Sequence, residues 1–437
     1  MLLCCDKKCG GDVFGKEKTI RAGTANINLS QIGQSLLFHG IFLLLPPFTI
    51  GNIFDIMKKT FLGDSMFDKE NKIEYIRGCL IGGAIGDALG YAVEFLQYEE
   101  ILRRYGKKGI TEYDIVGDEQ AIISDDTQMT LFTASGILTS ETKGFDPSSK
   151  DFLHCLHTAY LDWLTTQGER KAPDAKTSWL VDVPQLNFQR APGMTCLSAL
   201  HSGKLGLIDR GLNSSKGCGS VMRIAPFGIF YGEKEKEDMQ DFWNQSAGVG
   251  ALTHGHHLSH LSCAFMSSII ARILYPDPKE ESFTLFDLLD QLIEDFEKNL
   301  DSFYYKEEFL QLMKKAIRLS KNEKSDFENI TDLGEGWVAE EALAVAVYCA
   351  CKYQHDPIAG IIAAVNHNGD SDSTGAIAGN ILGALKGISA FNGLWIDNLE
   401  LVDVITEIAD DLAKGVPTED IENNTTVGKA WLKKYGY

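Results

Sequence analysis

Glycine recurs at every fourth position in two segments of this chain, and this spacing restricts how the chain folds. The residues are Gly78, Gly82, Gly86 and Gly90 in RGCLIGGAIGDALGYAVEF, and Gly375, Gly379, Gly383 and Gly387 in GDSDSTGAIAGNILGALKG. The neighbouring residues favour helix, and glycine inside a helix costs about 1 kcal/mol relative to alanine. Residues four apart form the ridges by which helices interdigitate, so a row of glycines lets two backbones approach closely. Each row therefore predicts a buried, central helix.

The rest of the chain after residue 70 has the apolar spacing of helices. Segments such as DFLHCLHTAYLDWL, KEEFLQLMKKAIRLS and EALAVAVYCACKY place apolar residues three and four positions apart. Strand-like alternation is scarce, and EYDIVGDEQAII is the one stretch that suggests it. No Gly/Ser tract or low-complexity run divides this region. Residues 71–437 are therefore predicted to form one all-α domain, a compact orthogonal helical bundle.

Residues 1–70 differ in character and are predicted to be an N-terminal extension without a role in catalysis. The segment SLLFHGIFLLLPPFTIGNIF is apolar, but its core, Leu36 to Leu45, contains His39 and stops at Pro46. This core is well short of the roughly 20 residues that a membrane span needs. No small-residue cleavage site of a signal peptide stands out after it. A membrane anchor remains the alternative interpretation.

Composition argues against some classes of partner. The 61 acidic residues outnumber the 41 basic ones, which gives a formal net charge of −20. Nucleic acids and anionic membrane surfaces need basic patches, so we expect the protein to bind neither. The ten cysteines show no zinc-site spacing, and a chain of this size does not need disulfides. We therefore expect reduced thiols in a cytoplasmic protein, and we expect a monomer.

Acidic residues occur in pairs, with hydroxyls beside them, at the starts of two predicted helices. The two motifs are Ser124-Asp125-Asp126 and Asp370-Ser371-Asp372-Ser373. A single such pair is usually a helix cap. Two pairs brought together would form an all-oxygen site suited to Mg²⁺ or Mn²⁺, and two cations would neutralise the four carboxylates. Because no thiolate or imidazole is expected in the site, Zn²⁺ should substitute poorly.

Seven motifs occur in order along the chain: GCLIGGAIGDALGYAVEF, SDDTQMT, RAPGMTCLSAL, SKGCGSVMRIAPFGIFYG, ALTHGHHLSH, GEGWVAEEALAVAVYC and NHNGDSDSTGAIAGNILGAL. Together they resemble those of the ADP-ribosylglycohydrolase family, especially its dinitrogenase-reductase-activating glycohydrolases and arginine-specific hydrolases. The resemblance spans roughly residues 72–390 and implies a compact all-α fold with a binuclear Mg²⁺ or Mn²⁺ site.

The resemblance also implies roles for individual residues. Glu94 matches an acidic residue that relatives carry on a mobile loop near the scissile bond, and Glu94, Asp126 or Asp372 is expected to accept a proton from the attacking water. The implied metal ligands are Ser124, Asp125, Asp126, Asp370, Asp372 and Ser373. The segment from Ser215 to Arg223 matches the loop that holds the ADP-ribose diphosphate. Its implied contacts are Ser215, Lys216, Gly217, Cys218, Gly219, Ser220 and Met222.

The histidines and one tryptophan allow alternatives. The resemblance puts His254 beside the substrate, and a structural histidine is an equal alternative. His256 and His260 are four apart, as zinc ligands on a helix would be, but no third ligand is evident. Trp337 is predicted to be a core residue rather than a platform for adenine.

The function implied by the resemblance is hydrolysis of the glycosidic bond between ADP-ribose and a modified protein side chain, with arginine as the first candidate. The substrate is then an ADP-ribosylated protein or a small ADP-ribosyl compound. Two alternatives stay open. One is a non-catalytic descendant that binds ADP-ribose or serves a structural role, and the other is a hydrolase of a free ADP-ribose derivative.

Overall fold

The computed structural model describes residues 72–115, 120–169, 178–277, 284–300, 303–391 and 393–436. Within these ranges the chain forms nineteen α-helices and no β-sheet. The helices are α1 (Lys72–Tyr91), α2 (Tyr98–Tyr105), α3 (Asp125–Thr142), α4 (Lys150–Thr166), α5 (Met194–His201), α6 (Ala225–Tyr231), α7 (Lys234–Glu237), α8 (Met239–Ala251), α9 (His257–Leu274), α10 (Leu285–Asn299), α11 (Lys306–Leu319), α12 (Asp326–Leu333), α13 (Ala339–Lys352), α14 (Pro357–Val365), α15 (Ser371–Lys386), α16 (Gly393–Asp397), α17 (Val402–Lys414), α18 (Thr418–Glu422) and α19 (Thr426–Tyr435). Short 3₁₀ helices lie at Trp179–Asp182, Pro184–Leu186, Cys218–Ser220 and Ile388–Ala390.

Helices α1 and α15 pack against each other along their two glycine rows. An ideal Cβ atom on Gly82 would lie 2.5 Å from the carbonyl oxygen of Gly379, which is closer than real Cβ atoms approach. The same collision with facing backbone occurs along the whole row, so no side chain fits between the two helices. The facing pairs run in opposite directions along the chain, so the helices are antiparallel. These pairs are Gly78–Gly383, Gly82–Gly379, Gly86–Gly375 and Gly90–Ser371.

The last glycine of the second row has a different role from the one its spacing suggests. Gly387 follows the last residue of α15 and has a φ of +78°, and its N–H donates to the Gly383 carbonyl at 2.8 Å. Glycine adopts this left-handed conformation without the strain that a Cβ would introduce. Gly387 therefore ends the helix and is not part of its interior.

Polar contacts hold the central pair of helices in place. The Asn380 side chain on α15 donates through Nδ2 to the Cys79 carbonyl on α1 at 2.8 Å. Arg77 on α1 donates to both carboxylate oxygens of Asp410 on α17, at 2.6 and 2.9 Å. Such bidentate pairs fix orientation as well as distance. The register of α1 against its neighbours is therefore set by hydrogen bonds as well as by close packing.

Helix α9 belongs to the protein core. It is the one helix in the described part of the chain that is long and apolar enough to cross a membrane, and 89% of its 18-residue apolar window is buried inside the protein. Phe265 packs edge-on against Phe296 of α10 and Phe309 of α11, with ring centroids 5.2 and 5.4 Å apart. A helix that is apolar on all sides is expected in the centre of a large α-helical domain.

The prediction of an all-α fold is confirmed. EYDIVGDEQAII, the strand-like stretch, contributes one isolated bridge, Ala121–Leu399, and its residues 116–119 lie outside the described residues. The other single bridges in the described ranges are Leu207–Arg210 and Gly217–Val338. The predicted N-terminal extension, residues 1–70, also lies outside the described residues, so it stays a prediction.

The close contact of α1 and α15 makes a testable prediction about glycine. Gly82→Ala should lower the free energy of unfolding by about 3 kcal/mol or more, because its Cβ meets rigid backbone and the core cannot relax around it. Gly248→Ala on α8 is the matched control, since its Cβ would meet only Leu153 Cδ2, at 3.7 Å. That variant should be neutral or more stable by up to about 1 kcal/mol.

Chemical denaturation of the two variants and the wild type measures these differences. Equal stability of Gly82→Ala and wild type would show that the two helices are not held in backbone contact.

Candidate metal centre and substrate site

Three helix ends meet at one place because the glycine rows fix the register of α1 and α15. The last turn of α1 lies against the first turn of α15, where Gly90 meets Ser371. Asp87, less than one turn earlier on α1, accepts hydrogen bonds from the backbone N–H groups of Ser124 at 2.9 Å and Thr127 at 3.0 Å. These two N–H groups belong to the start of α3. Asp87 therefore holds the N-terminus of α3 beside the N-terminus of α15.

Five buried carboxylates form an acidic cluster at this junction. Each of them is between 2% and 7% exposed, and the carboxylate oxygens of Glu94, Asp370 and Asp372 lie within 4.8 Å of one another. The structure thus brings the two acidic motifs together, and it adds Glu94 to them. The members of the acidic cluster are Glu94 after α1, Asp125 and Asp126 at the start of α3, and Asp370 and Asp372 at the start of α15.

Burial raises the pKa of every carboxyl group in the acidic cluster, and the charge of Asp372 raises the pKa of the other four further. Burial first, and then the charge of Asp372, raise the pKa of Glu94 to about 10 and that of Asp87 to about 7. The same two causes hold the pKa values of the other carboxyl groups well above their usual range, in Asp125, Asp126 and Asp370. A cluster of this kind is stable at neutral pH only with protons or with cations to compensate its charge.

Two carboxylate oxygens of the acidic cluster have no hydrogen-bond partner in the described structure. They are Glu94 Oε2 and Asp126 Oδ2, and both are buried. A buried charged oxygen without a partner is costly, and such atoms need a ligand. Carboxylate and hydroxyl oxygens are what Mg²⁺ and Mn²⁺ prefer. The residues at this site therefore fit a divalent cation.

Capping explains part of the acidic motifs but not all of them. The Ser124 hydroxyl accepts from the Asp126 N–H at 3.2 Å, and the Asp370 carboxylate accepts from the Ser373 N–H at 3.3 Å. Ser124 and Asp370 are therefore N-caps of α3 and α15. Neither cap uses Asp126 Oδ2 or Glu94 Oε2, so the capping interpretation leaves the unpaired oxygens without a role.

The predicted diphosphate loop, Ser215–Arg223, lies against the same junction. The Cys218 N–H donates to the Trp337 carbonyl at 3.2 Å, and the Ala339 N–H donates to the Lys216 carbonyl at 2.8 Å. Lys216 also forms an ion pair with the buried carboxylate of Glu340. The loop is thus fixed to the segment that leads into α13.

Individual side chains of this loop face different neighbours. Met222 Sδ lies 3.9 Å from the Ser373 hydroxyl, close to the acidic cluster. Ser215 bonds to Thr195 at 3.0 Å, and the Ser220 hydroxyl bonds to Ser259 on α9. Ser215 and Ser220 therefore have partners within the protein. Gly219 follows Cys218 in the 3₁₀ helix of the loop.

A thiol that the sequence did not place at the site lies in direct contact with the acidic cluster. Cys218 Sγ is 2.7 Å from Asp370 Oδ2, and the thiol donates to the carboxylate. The sequence could not show this contact, because Cys218 and Asp370 are 152 residues apart in the chain. The poor substitution by Zn²⁺ stays a prediction, since the group of possible ligands found in the described residues, Glu94, Asp370 and Asp372, consists of carboxylates.

His254 lies beneath the glycine loop. Ideal Cβ atoms on Gly217 and Gly219 would lie 3.3 Å from its Nε2 and 3.1 Å from its Cε1. Its Nδ1 is 2.9 Å from the Thr253 hydroxyl, and burial lowers its pKa to about 3. His254 is therefore a neutral imidazole that supports the loop from the protein interior.

The other histidines do not assemble a zinc site in the described residues. His256 lies before the first turn of α9, where its Nδ1 accepts from the Leu258 N–H at 3.1 Å. His260 Nε2 is bonded to the His254 carbonyl at 2.7 Å. The one group of three possible ligands found in the described residues is Glu94, Asp370 and Asp372.

The prediction that Trp337 is a core residue is wrong. Its side chain is 41% exposed and stacks on Phe95, with ring centroids 6.2 Å apart and the planes at 22°. Phe95, which follows Glu94 directly, is 70% exposed. The two aromatic rings thus lie at the surface beside the acidic cluster.

Sequence reasoning missed Asp87. This residue is fully buried and is the acceptor for the start of α3, so it positions Asp125 and Asp126. The available signal was an acidic residue directly after Gly86, inside a row of glycines and apolar residues. A charged side chain in a predicted central helix needs a hydrogen-bond partner. The unsatisfied backbone N–H groups at the start of another helix can provide it.

Comparisons with known proteins show what this chain is similar to. Residues 68–421 match the family model described as ADP-ribosylglycohydrolase. The ADP-ribosylhydrolase ARH3 of Mus musculus is 24% identical over 363 residues, which cover 77% of this chain and 90% of that protein. The ADP-ribosylarginine hydrolase Tri1 of Serratia proteamaculans is 22% identical over 365 residues, which cover 81% and 83%.

A solved structure shows the same fold. It is described as an ADP-ribosylglycohydrolase-related protein complex, and it superposes with a TM-score of 0.54 at 20% sequence identity. The match covers 79% of this chain and 99% of that one.

The raised carboxyl pKa values predict how stability changes with pH. A carboxyl group whose pKa is higher in the folded than in the unfolded state binds more protons when folded, so the protein loses stability as pH rises toward the folded pKa. In EDTA, the melting temperature should therefore fall from about pH 7 to about pH 8, a range in which most unfolded histidines are already neutral. Asp372→Asn should reduce this fall, because it removes the charge that raises the neighbouring pKa values.

Thermal unfolding followed by circular dichroism measures both effects, and the same scan with saturating Mn²⁺ is the control. Bound cations keep the carboxylates ionised, so the fall should disappear. A melting temperature that is the same at both pH values in EDTA would contradict the repulsive cluster.

Proposed function

This chain belongs to the ADP-ribosylglycohydrolase family, and on that premise we propose that it hydrolyses the glycosidic bond between ADP-ribose and a modified protein side chain, with arginine as the first candidate. The observation that carries this proposal is the pair of unpaired, buried oxygens, Glu94 Oε2 and Asp126 Oδ2, beside the glycine loop. A non-catalytic descendant of the fold would have no reason to keep such a costly group of charges.

Two Mg²⁺ or Mn²⁺ ions are the proposed cofactors. The residues that would hold them are Asp125, Asp126, Asp370 and Asp372, with the hydroxyls of Ser124 and Ser373. When bound, such cations orient ribose hydroxyls and lower the pKa of a bound water. The positive charge that this acidic protein lacks at the site would thus come from the ions.

Glu94 is the residue that we propose to move a proton. Cleavage at the anomeric carbon of ribose passes through an oxocarbenium-like state and needs a water that loses a proton as it attacks. Glu94 Oε2 is unpaired, lies in the acidic cluster, and precedes the exposed Phe95, so it lies between the buried carboxylates and the surface. Without cations the pKa of Glu94 is about 10, and the charges of Asp372, Asp370 and Asp125 are part of the cause. Cations bound to these aspartates would neutralise that charge and lower the pKa of Glu94, which could then accept the proton at Oε2, with Asp126 and Asp372 retained as cation ligands.

The glycine loop is the proposed site of the substrate diphosphate. The N–H groups of Gly217 and Cys218 are engaged with Ser215 Oγ and the Trp337 carbonyl. The N–H groups of Gly219 and Ser220 follow at the start of the 3₁₀ helix, where phosphate oxygens are favoured acceptors. Lys216 adds a positive charge at the edge of this loop, partly compensated by Glu340.

A cytoplasmic location is also a proposal. All seven cysteines in the described residues are free, which supports it.

The preference for ADP-ribosylated arginine is a further proposal. It rests on the similarity to the protein named ADP-ribosylarginine hydrolase Tri1, and the match to proteins named ARH3 leaves other ADP-ribosyl substrates as alternatives.

A panel of substrates tests the proposed activity. The full chain with Mn²⁺ should release ADP-ribose from ADP-ribosyl-arginine faster than from ADP-ribosyl-serine peptides or O-acetyl-ADP-ribose. EDTA should abolish the release, and Mg²⁺ or Mn²⁺ should restore it. Faster turnover of O-acetyl-ADP-ribose would favour the free-derivative alternative, and no release from any substrate would contradict the proposed function.

Glu94→Gln tests the role of the proton acceptor. The variant should lower kcat by about 10²- to 10⁴-fold, which is the usual contribution of one general acid or base. Its Mn²⁺ affinity should stay close to that of wild type, because the four aspartates remain. Glu99→Gln, an exposed glutamate on α2, is the matched control and should keep wild-type turnover. If Glu94→Gln loses Mn²⁺ binding and activity together, Glu94 is a cation ligand and the proton acceptor lies elsewhere.

A further inference from the structure

Cys218 brings a sulfur atom to a buried group of oxygen ligands. Its Sγ is 2.7 Å from Asp370 Oδ2. The backbone on either side of the thiol is fixed, since the Cys218 N–H donates to the Trp337 carbonyl at 3.2 Å and Gly217 forms a bridge with Val338. The backbone that carries the thiol is therefore held next to Asp370 by the fold.

Further atoms near the thiol have the properties of cation ligands. Asp126 Oδ2 and Glu94 Oε2 are unpaired, and their residues are only 2% and 7% exposed. Glu94 and Asp370 each offer a carboxylate oxygen within 4.8 Å of the other. Met222 Sδ, on the same loop as Cys218, lies 3.9 Å from the Ser373 hydroxyl. Two sulfur atoms, Cys218 Sγ and Met222 Sδ, thus lie next to oxygen atoms of the second acidic motif.

We propose that Cys218 and Asp370 together form a binding site for thiophilic divalent cations, Zn²⁺ or Cd²⁺, at which these ions compete with the Mg²⁺ or Mn²⁺ of the proposed function. Thiolate sulfur is a preferred ligand of Zn²⁺ and related soft ions, whereas Mg²⁺ and Mn²⁺ prefer oxygen. The competition with Mg²⁺ or Mn²⁺ rests on the proposed function. The binding of a thiophilic cation at Cys218 does not, because it needs no hydrolysis.

The binding step balances without any oxidant. The S–H bond of Cys218 breaks, the proton goes to solvent, and the thiolate donates its electron pair to the incoming cation. Because Asp370 takes part in both kinds of site, a bound thiophilic ion withdraws this carboxylate from the Mn²⁺ ligand set. It also occupies the glycine loop at Cys218, where the substrate diphosphate is proposed to bind. Thiophilic ions should therefore inhibit hydrolysis as well as displace Mn²⁺.

Cadmium titration of the full chain is the direct test, because a thiolate–cadmium bond gives an ultraviolet charge-transfer band. Wild type should show a saturable component of this band that Cys218→Ser removes, while the component from other thiols stays. The loss of Cd²⁺ affinity at the Cys218 site should exceed about tenfold, since even outer-shell partners of metal ligands contribute that much. Cys155→Ser, which removes a half-buried thiol elsewhere, is the matched control and should keep the band. The N-terminal cysteines contribute equally to all three proteins and cancel in the comparison.

Competition in the wild type gives a second readout that needs no variant. Excess Mn²⁺ should weaken Cd²⁺ binding at the saturable site. An unchanged Cd²⁺ titration in folded Cys218→Ser, or Cd²⁺ binding that Mn²⁺ does not weaken, would overturn the inference. If Cys218→Ser does not fold by circular dichroism, the Mn²⁺ competition decides.

The two proposals fail in different ways. Absence of ADP-ribose release from every substrate, with the Cys218-dependent band intact, would contradict the proposed function alone. Release of ADP-ribose with Mn²⁺, together with a Cd²⁺ titration that Cys218→Ser does not change, would contradict the cysteine site alone.

Discussion

Backbone contact between α1 and α15 is the constraint on which the rest of the site depends. With no side chain between them, the two helices meet glycine to backbone at four successive turns. This contact fixes their register, because a shift by one residue would place larger side chains at the crossing. The end of α1 then meets the start of α15, which brings Glu94 and Asp87 to the aspartates of α15. The glycines therefore serve the site through packing.

Burial of the acidic cluster opposes this packing, and the fold reduces the electrostatic cost in two ways. Helix N-termini carry partial positive charge, and both acidic motifs lie at such ends. Backbone N–H groups also bind Asp87, Asp125, Asp370 and Asp372. Glu94 Oε2 and Asp126 Oδ2 stay without any partner, so the remaining cost falls on protons or cations. Stability and metal binding are thus coupled at one place in the protein.

The sequence alone predicts the helices of this fold better than it predicts which segments contact each other. The four-residue spacing of the glycines around Gly82 and around Gly379 indicates that each row makes a close helix contact. It does not say which helix each row contacts, because such a row could pack against any helix with small residues on one face. Cys218 lay in a predicted phosphate loop, and only the fold shows its thiol at Asp370. The sequence-based prediction makes Trp337 a core residue, yet it stacks on Phe95 at the surface. Contacts between distant segments decide these points, and local patterns do not contain them.

Calorimetric titration of the metal-free protein with Mn²⁺ tests the central claim most directly. The account predicts that about two Mn²⁺ ions bind per chain, and that Asp372→Asn lowers both affinity and stoichiometry while the helical fold is retained. Equal affinity and stoichiometry in wild type and Asp372→Asn would contradict it. The acidic residues would then be helix caps, since asparagine caps a helix about as well as aspartate.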